Sequence, residues 1–132
     1  MIRHILRVLI FLLIPMSSAA YPQIWESVFI TDNGVSYFID PASVIKIGPE
    51  MHFTQLSNYE EGFRYNGHIV YSIKTLRRAN CGESTYKSGA LIGYSKIYAA
   101  GEIELVDFDL SKKWRFVVPT SISAAFQERV CS

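Results

Sequence analysis

Cys81 and Cys131 are the two cysteines of this 132-residue chain, and the second stands one residue from its end. If they join, the bond closes a loop of fifty residues and pins the C-terminal segment to the middle of the chain. The chain-entropy model gives such a loop roughly 4 kcal/mol. A small domain is stable by only about 5–15 kcal/mol in total. A bond of that size would decide whether the chain folds. Whether it forms depends on the redox compartment, so the next question is where the chain goes.

The N-terminus answers it. Arg3 and Arg7 precede an apolar run, Val8 to Ile14; Pro15 breaks the run, and Ser17-Ser18-Ala19-Ala20 supplies small residues for cleavage. Basic, apolar and small in that order is the pattern of a secretory signal peptide. The run is far short of the roughly 20 apolar residues a spanning helix needs. We therefore expect residues 1–20 to be a signal and residues 21–132 to be a single domain with no membrane span. No cysteine follows the apolar run, so the lipid-attachment signal of bacterial lipoproteins is absent. An even cysteine count in an exported chain reads as a disulfide, Cys81–Cys131. Two free thiols remain the alternative.

The formal net charge is +1, and without the two signal arginines it becomes −1. A nucleic-acid binder would show a clear basic excess, so that class of partner is excluded. The remaining chain is rich in Tyr, Phe, Val and Ile and is punctuated by turn residues, which favours strands. Strands are expected over residues 24–31 and 35–39, joined by Asp32-Asn33-Gly34, because Asn-Gly suits a tight hairpin. Asp40-Pro41-Ala42-Ser43 reads as a cap and one short helical turn. Further strands are expected at 51–57, 68–76, 85–98 with interruptions at Gly89 and Gly93, 102–108 and 114–118. Polar loops are expected at 60–67 and 109–113. Ile122, Phe126 and Val130 are four apart and share one face of a C-terminal helix that starts near Pro119-Thr120-Ser121. The fold class is α+β: an antiparallel sheet of about six strands with a C-terminal α-helix packed on one face and tied by the disulfide.

Chemistry is sparse. His52 and His68 lack neighbours at metal-ligand spacing, and no Cys-x-x-Cys or carboxylate cluster is present. No nucleophile elbow exists, and a paired Cys81 and Cys131 offer no thiol. Glu60-Glu61 reads as a solvated loop pair, and Asp107/Asp109 as a pair at a strand end. We expect no metal, no cofactor and no enzymatic activity. A hydrolase would need His52 or His68 within reach of an acid and a nucleophile, and neither is expected to be so placed. Positive charge gathers at Lys74, Arg77, Arg78 and Lys87. Such residues protect a strand end or form a contact patch for an acidic or sulfated partner.

The ordered landmarks Trp25, Tyr37-Phe38-Ile39-Asp40, Ser43-Val44, Asn58-Tyr59, Tyr71-Ser72-Ile73-Lys74-Thr75-Leu76, Cys81, Tyr86-Lys87, Gly101, Trp114, Pro119-Thr120-Ser121 and Cys131 resemble those of the surface-adhesin protein E family of Gram-negative bacteria. The resemblance spans nearly all of residues 21–132. It implies an antiparallel sheet with a C-terminal helix held by Cys81–Cys131. It also implies binding of host extracellular-matrix and plasma proteins such as laminin, vitronectin and plasminogen, and assembly as a homodimer. It implies no enzyme activity. The family's founding adhesin is a lipoprotein, whereas this chain lacks the acceptor cysteine. A periplasmic or secreted location therefore fits the sequence better than display at the cell surface. The expected function is a non-enzymatic cell-envelope binding protein. The alternative is a periplasmic domain that holds or senses a small ligand between helix and sheet.

Overall fold

The computed structural model describes residues 23–108 and 112–132. The proposed signal and Asp109 lie outside the described residues. The first hairpin joins β1 (Glu26–Ile30) to β2 (Val35–Ile39) through Asp32-Asn33-Gly34, with Gly34 at φ +82°. Asp40 Oδ1 then accepts from the Ala42 amide at 3.0 Å and caps a single turn at Pro41–Ser43. Short β3 (Ile45–Ile47) leads into β4 (Glu50–Tyr65), β5 (His68–Asn80) and β6 (Thr85–Tyr94). β7 (Ile103–Asp107), β8 (Arg115–Phe116) and helix α1 (Ile122–Cys131) complete the chain.

The strands form one antiparallel sheet in the order β1-β2-β4-β5-β6-β7, with β3 paired to β4 and β8 paired to β6. Eight strands stand where about six were expected: β3 is an additional short pairing, and the strand expected at 114–118 is only the two residues of β8. The expected loop over 60–67 is strand as far as Tyr65. Tyr65 pairs with His68, so only Asn66-Gly67, at φ 45° and 80°, forms the turn. These left-handed angles suit a two-residue hairpin turn. Glu60, Glu61 and Arg64 lie at an exposed end of the hairpin, and only Phe63 to Tyr65 of this stretch pair with β5. A bulge between Asn58 and Phe63, with Gly62 at φ +80°, absorbs the extra residues.

Gly89 and Gly93 do not interrupt β6 either. A Cβ on Gly93 would stand 2.7 Å from Val70 Cγ1 and 3.1 Å from Leu105, so glycine there permits close packing across the ladder. A register shift falls near Gly89, between the Thr75 and Arg77 pairings.

α1 lies on one face of the sheet. Ser121 Oγ accepts from the Ala124 amide at 3.1 Å and caps its start. Phe126 is 1% exposed and packs with Ile39, Phe53, Ala79 and Val130. Its ring stacks on Phe53 at 5.8 Å and 15°. Ile122 and Tyr37 flank this core, as the four-residue spacing requires for Ile122. Cys81 and Cys131 form the disulfide, with Cα atoms 5.7 Å apart. It ties the end of α1 to the β5–β6 turn. A second cluster on Val70, Ile73 and Leu91 is flanked by Tyr59, Tyr65 and Leu105.

The opposite face is only partly covered. There Ser72, fully buried, donates to the Lys96 carbonyl at 2.5 Å and accepts from the Ala99 amide at 2.9 Å. Asn58 Oδ1 accepts from the Tyr98 amide at 2.8 Å. These two side chains fasten the β6–β7 loop over the sheet, and Tyr98 packs on Phe38 at 5.4 Å. The remainder of that face stays open.

Candidate functional site

Residues directly across an antiparallel ladder share a face, and successive rows alternate faces. The row Phe53–Arg77–Ser88 belongs to the helix side: Phe53 stacks on Phe126, and Arg77 Nη2 donates to Ser123 Oγ at 3.0 Å. The next row, His52–Arg78–Lys87, therefore faces the open side. Lys74, paired with Leu56 and Ile92, faces the open side as well.

This divides the sequence-derived basic cluster. Lys74, Arg78 and Lys87 share the open face. Arg77 turns the other way, beside α1, with its guanidinium 4.7 Å from the Tyr86 ring. Linear proximity of Arg77 and Arg78 on a strand is what places them on opposite faces. Lys74 lies 5.9 Å over the Tyr94 ring, nearer the fastened loop.

The open face carries a groove of about 450 Å³. His52, Thr54, Leu76, Arg78 and Lys87 line it, with Ser43 from the capped turn on one side and Gly89-Ala90 of β6 on the other. Leu76 is 53% exposed at its floor. Arg78 is fixed from two directions: Glu50 takes a forked ion pair from it, and the Trp114 ring stacks 5.3 Å away. An arginine held flat by a carboxylate and an aromatic ring has little rotamer freedom left to lose on binding. Lys87, directly across the ladder, carries no ion pair among the described residues. The groove therefore presents a positioned guanidinium, a free ammonium and an apolar floor.

Glu50 also meets His52 Nε2 at 2.9 Å. His52 thus has an acid within reach, contrary to expectation, since strand alternation sets residues 50 and 52 on one face. The nearby Ser43 hydroxyl donates to the Asp40 carbonyl at 2.6 Å and accepts from the Thr54 amide at 2.8 Å. Hydrogen bonds from Arg78 and then His52 hold the Glu50 carboxyl below its ordinary value. Among the described residues no three His, Cys, Asp or Glu side chains gather as a metal site. Asp107 accepts from the Tyr65 hydroxyl at 2.7 Å.

Tyr37 flanks the helix core, and burial raises its hydroxyl above the ordinary tyrosine value. Asp40 caps, Ser72 anchors a loop, and Trp114 braces Arg78. Pro119 precedes the helix cap, and Trp25 is half-buried just before β1. Glu50, which positions Arg78, was not singled out by the sequence. Its signal was the alternation Glu50-x-His52 at the start of a strand.

A family model described as surface-adhesin protein E matches residues 25–132. The chain belongs to the surface-adhesin protein E family. Solved structures of Haemophilus influenzae protein E share its fold. One has 16% identity and a TM-score of 0.61, covering 81% of this chain and 83% of that one. A second crystal form has 16% identity and a TM-score of 0.60, covering 81% and 86%. Protein E from non-typeable Haemophilus influenzae has 15% identity and a TM-score of 0.59, covering 81% and 74%. No curated protein matches it in sequence. The expected antiparallel sheet, C-terminal helix and Cys81–Cys131 bond are those of this family's member here.

Proposed function

We propose that this chain is a non-enzymatic, exported cell-envelope adhesin that binds host extracellular-matrix or plasma proteins, laminin, vitronectin and plasminogen among them. Family membership supports the class of function. The observation that carries the site is the open-face groove, where Glu50 and Trp114 hold Arg78 beside Lys87 over exposed Leu76. A charged rim over an apolar floor suits an acidic segment of a protein partner.

The test is binding of the purified domain, residues 21–132, to each immobilised host protein across a salt series. Lys74→Glu and Lys87→Glu combined with Arg78→Gln should weaken binding and flatten its salt dependence. Unchanged binding removes the groove as the contact. Sedimentation of the same sample reads the homodimer implied by the family. Cell fractionation with N-terminal sequencing reads both cleavage after Ala20 and the destination. Strict periplasmic retention would remove host-protein binding from this reading. A small-ligand role between helix and sheet gains no support, because Phe126 and Phe53 fill that space.

A further inference from the structure

A second positive site lies on the helix side. Tyr86 pairs with Arg115 across the β6–β8 ladder, so Arg115 falls on the same face as Tyr86. Lys113 lines the same hollow as Arg115, whereas Trp114 between them stands against Arg78. The result is a hollow of about 280 Å³ lined by Arg77, Tyr86, Ser88, Lys112, Lys113 and Arg115. Four of the six are cations and none is an acid.

Arg77 sets the demand. Its Nη2 has Ser123 Oγ as an acceptor, but its buried Nε has no hydrogen-bond partner. No carboxylate pairs with it, or with Lys112, Lys113 or Arg115, among the described residues. Burial pushes the Arg77 guanidinium down from its ordinary value. A half-buried cation without a counter-charge is costly unless something compensates it.

We propose that this hollow is a binding site for a tetrahedral oxyanion, a sulfate or phosphate ester. Arg77 and Arg115 offer planar forks of N–H donors, Lys112 and Lys113 add mobile charge, and the Ser88 and Tyr86 hydroxyls are neutral donors. Four cations match a dianion better than the single charge of a carboxylate. The hollow borders the groove at Arg77 and Ser88, but its other four residues, Tyr86, Lys112, Lys113 and Arg115, are not shared with it.

The test is a titration of the folded domain, residues 21–132, followed by amide NMR. Probes are inorganic sulfate, inorganic phosphate, glucosamine 6-sulfate and glucose 6-phosphate, with chloride at matched ionic strength as reference. Sulfate or phosphate should shift the Tyr86, Ser88 and Arg115 amides saturably, and chloride should not. Preference between the two sugar esters identifies which oxyanion source the site takes. Lys113→Gln with Arg115→Gln, both at exposed positions, should weaken binding about tenfold or more. Lys74→Gln with Lys87→Gln, on the other face, should leave it unchanged. An equal response to chloride, or undiminished affinity in the Lys113/Arg115 variant, overturns the proposal.

Discussion

Arg78 reaches from β5 across to the start of β4 and closes a fork on Glu50, its Nη2 2.6 Å from Oε1 and its Nε 3.1 Å from Oε2. The pair joins residues far apart in sequence and fixes the cation that dominates the open groove. Glu50 has a depressed pKa in the fold, so its contribution to stability is present above its ordinary value of 4.5 and is lost as pH falls through the lower folded value. Glu50→Gln should cost about 1 kcal/mol at neutral pH, a figure kept small because Arg78 is half-exposed. The difference from the native chain should shrink as pH drops below 4.5. Urea unfolding at a series of pH values checks both signs; a constant difference would contradict the assignment.

Ser72 is the pin of the β6–β7 loop. Ser72→Ala leaves the Lys96 carbonyl and the Ala99 amide without their shared partner. The expected loss is about 1–3 kcal/mol. Hydrogen exchange at the Ala99 amide should accelerate well beyond any global change, and exchange that merely tracks global stability would show that the loop holds without the pin.

Phe126 is the centre of the helix core. Phe126→Ala should destabilise the domain by about 3–5 kcal/mol. Near-ultraviolet circular dichroism should lose signal from the Phe53–Phe126 stack even under conditions where the sheet persists. A loss under about 1 kcal/mol would mean that the helix contributes little to the fold.

The disulfide is tested by Cys81→Ser with Cys131→Ser. With the cysteines 50 positions apart in sequence, the entropic model predicts a loss of roughly 4 kcal/mol, less any strain relieved. Reduction of the native chain should reproduce most of that loss in a chemical denaturation curve. Equal midpoints for oxidised and reduced protein would assign the bond no stabilising role.

The sequence was most legible where one local rule acted alone. Asn33-Gly34 and Asp40-Pro41 marked a turn and a cap, and the four-residue spacing of Ile122, Phe126 and Val130 marked the buried helix face. It misled where polarity was read as irregularity. Phe63 to Tyr65 continue the strand because partner β5 supplies the ladder, a non-local cause that no window of residues contains. The same holds for Gly93, whose lack of a side chain serves Val70 and Leu105 on neighbouring strands. In the candidate site, the identity of the cations was readable but their sides were not weighed. Strand alternation sets Arg77 and Arg78 on opposite faces, and the fold of the segment before β8 brings Lys112 and Lys113 to Arg77 and Arg115.

The end of α1 is held twice. Arg129 forks onto Glu26 of the outermost strand, with contacts of 2.8 and 3.0 Å, and two residues later Cys131 is bonded covalently to the β5–β6 turn. The last turn of the helix is therefore tied at once to the first edge strand and to the β5–β6 turn. Tension applied between β1 and the groove has two load paths. One runs through the hydrogen bonds of successive strand pairs, which can unzip one at a time. The other passes through the last turn of α1, from the Glu26–Arg129 ion pair to the Cys81–Cys131 bond, in parallel with them. The covalent half of this second path does not unzip, so separating the first strand from the middle of the sheet requires the exposed Glu26–Arg129 pair to yield first.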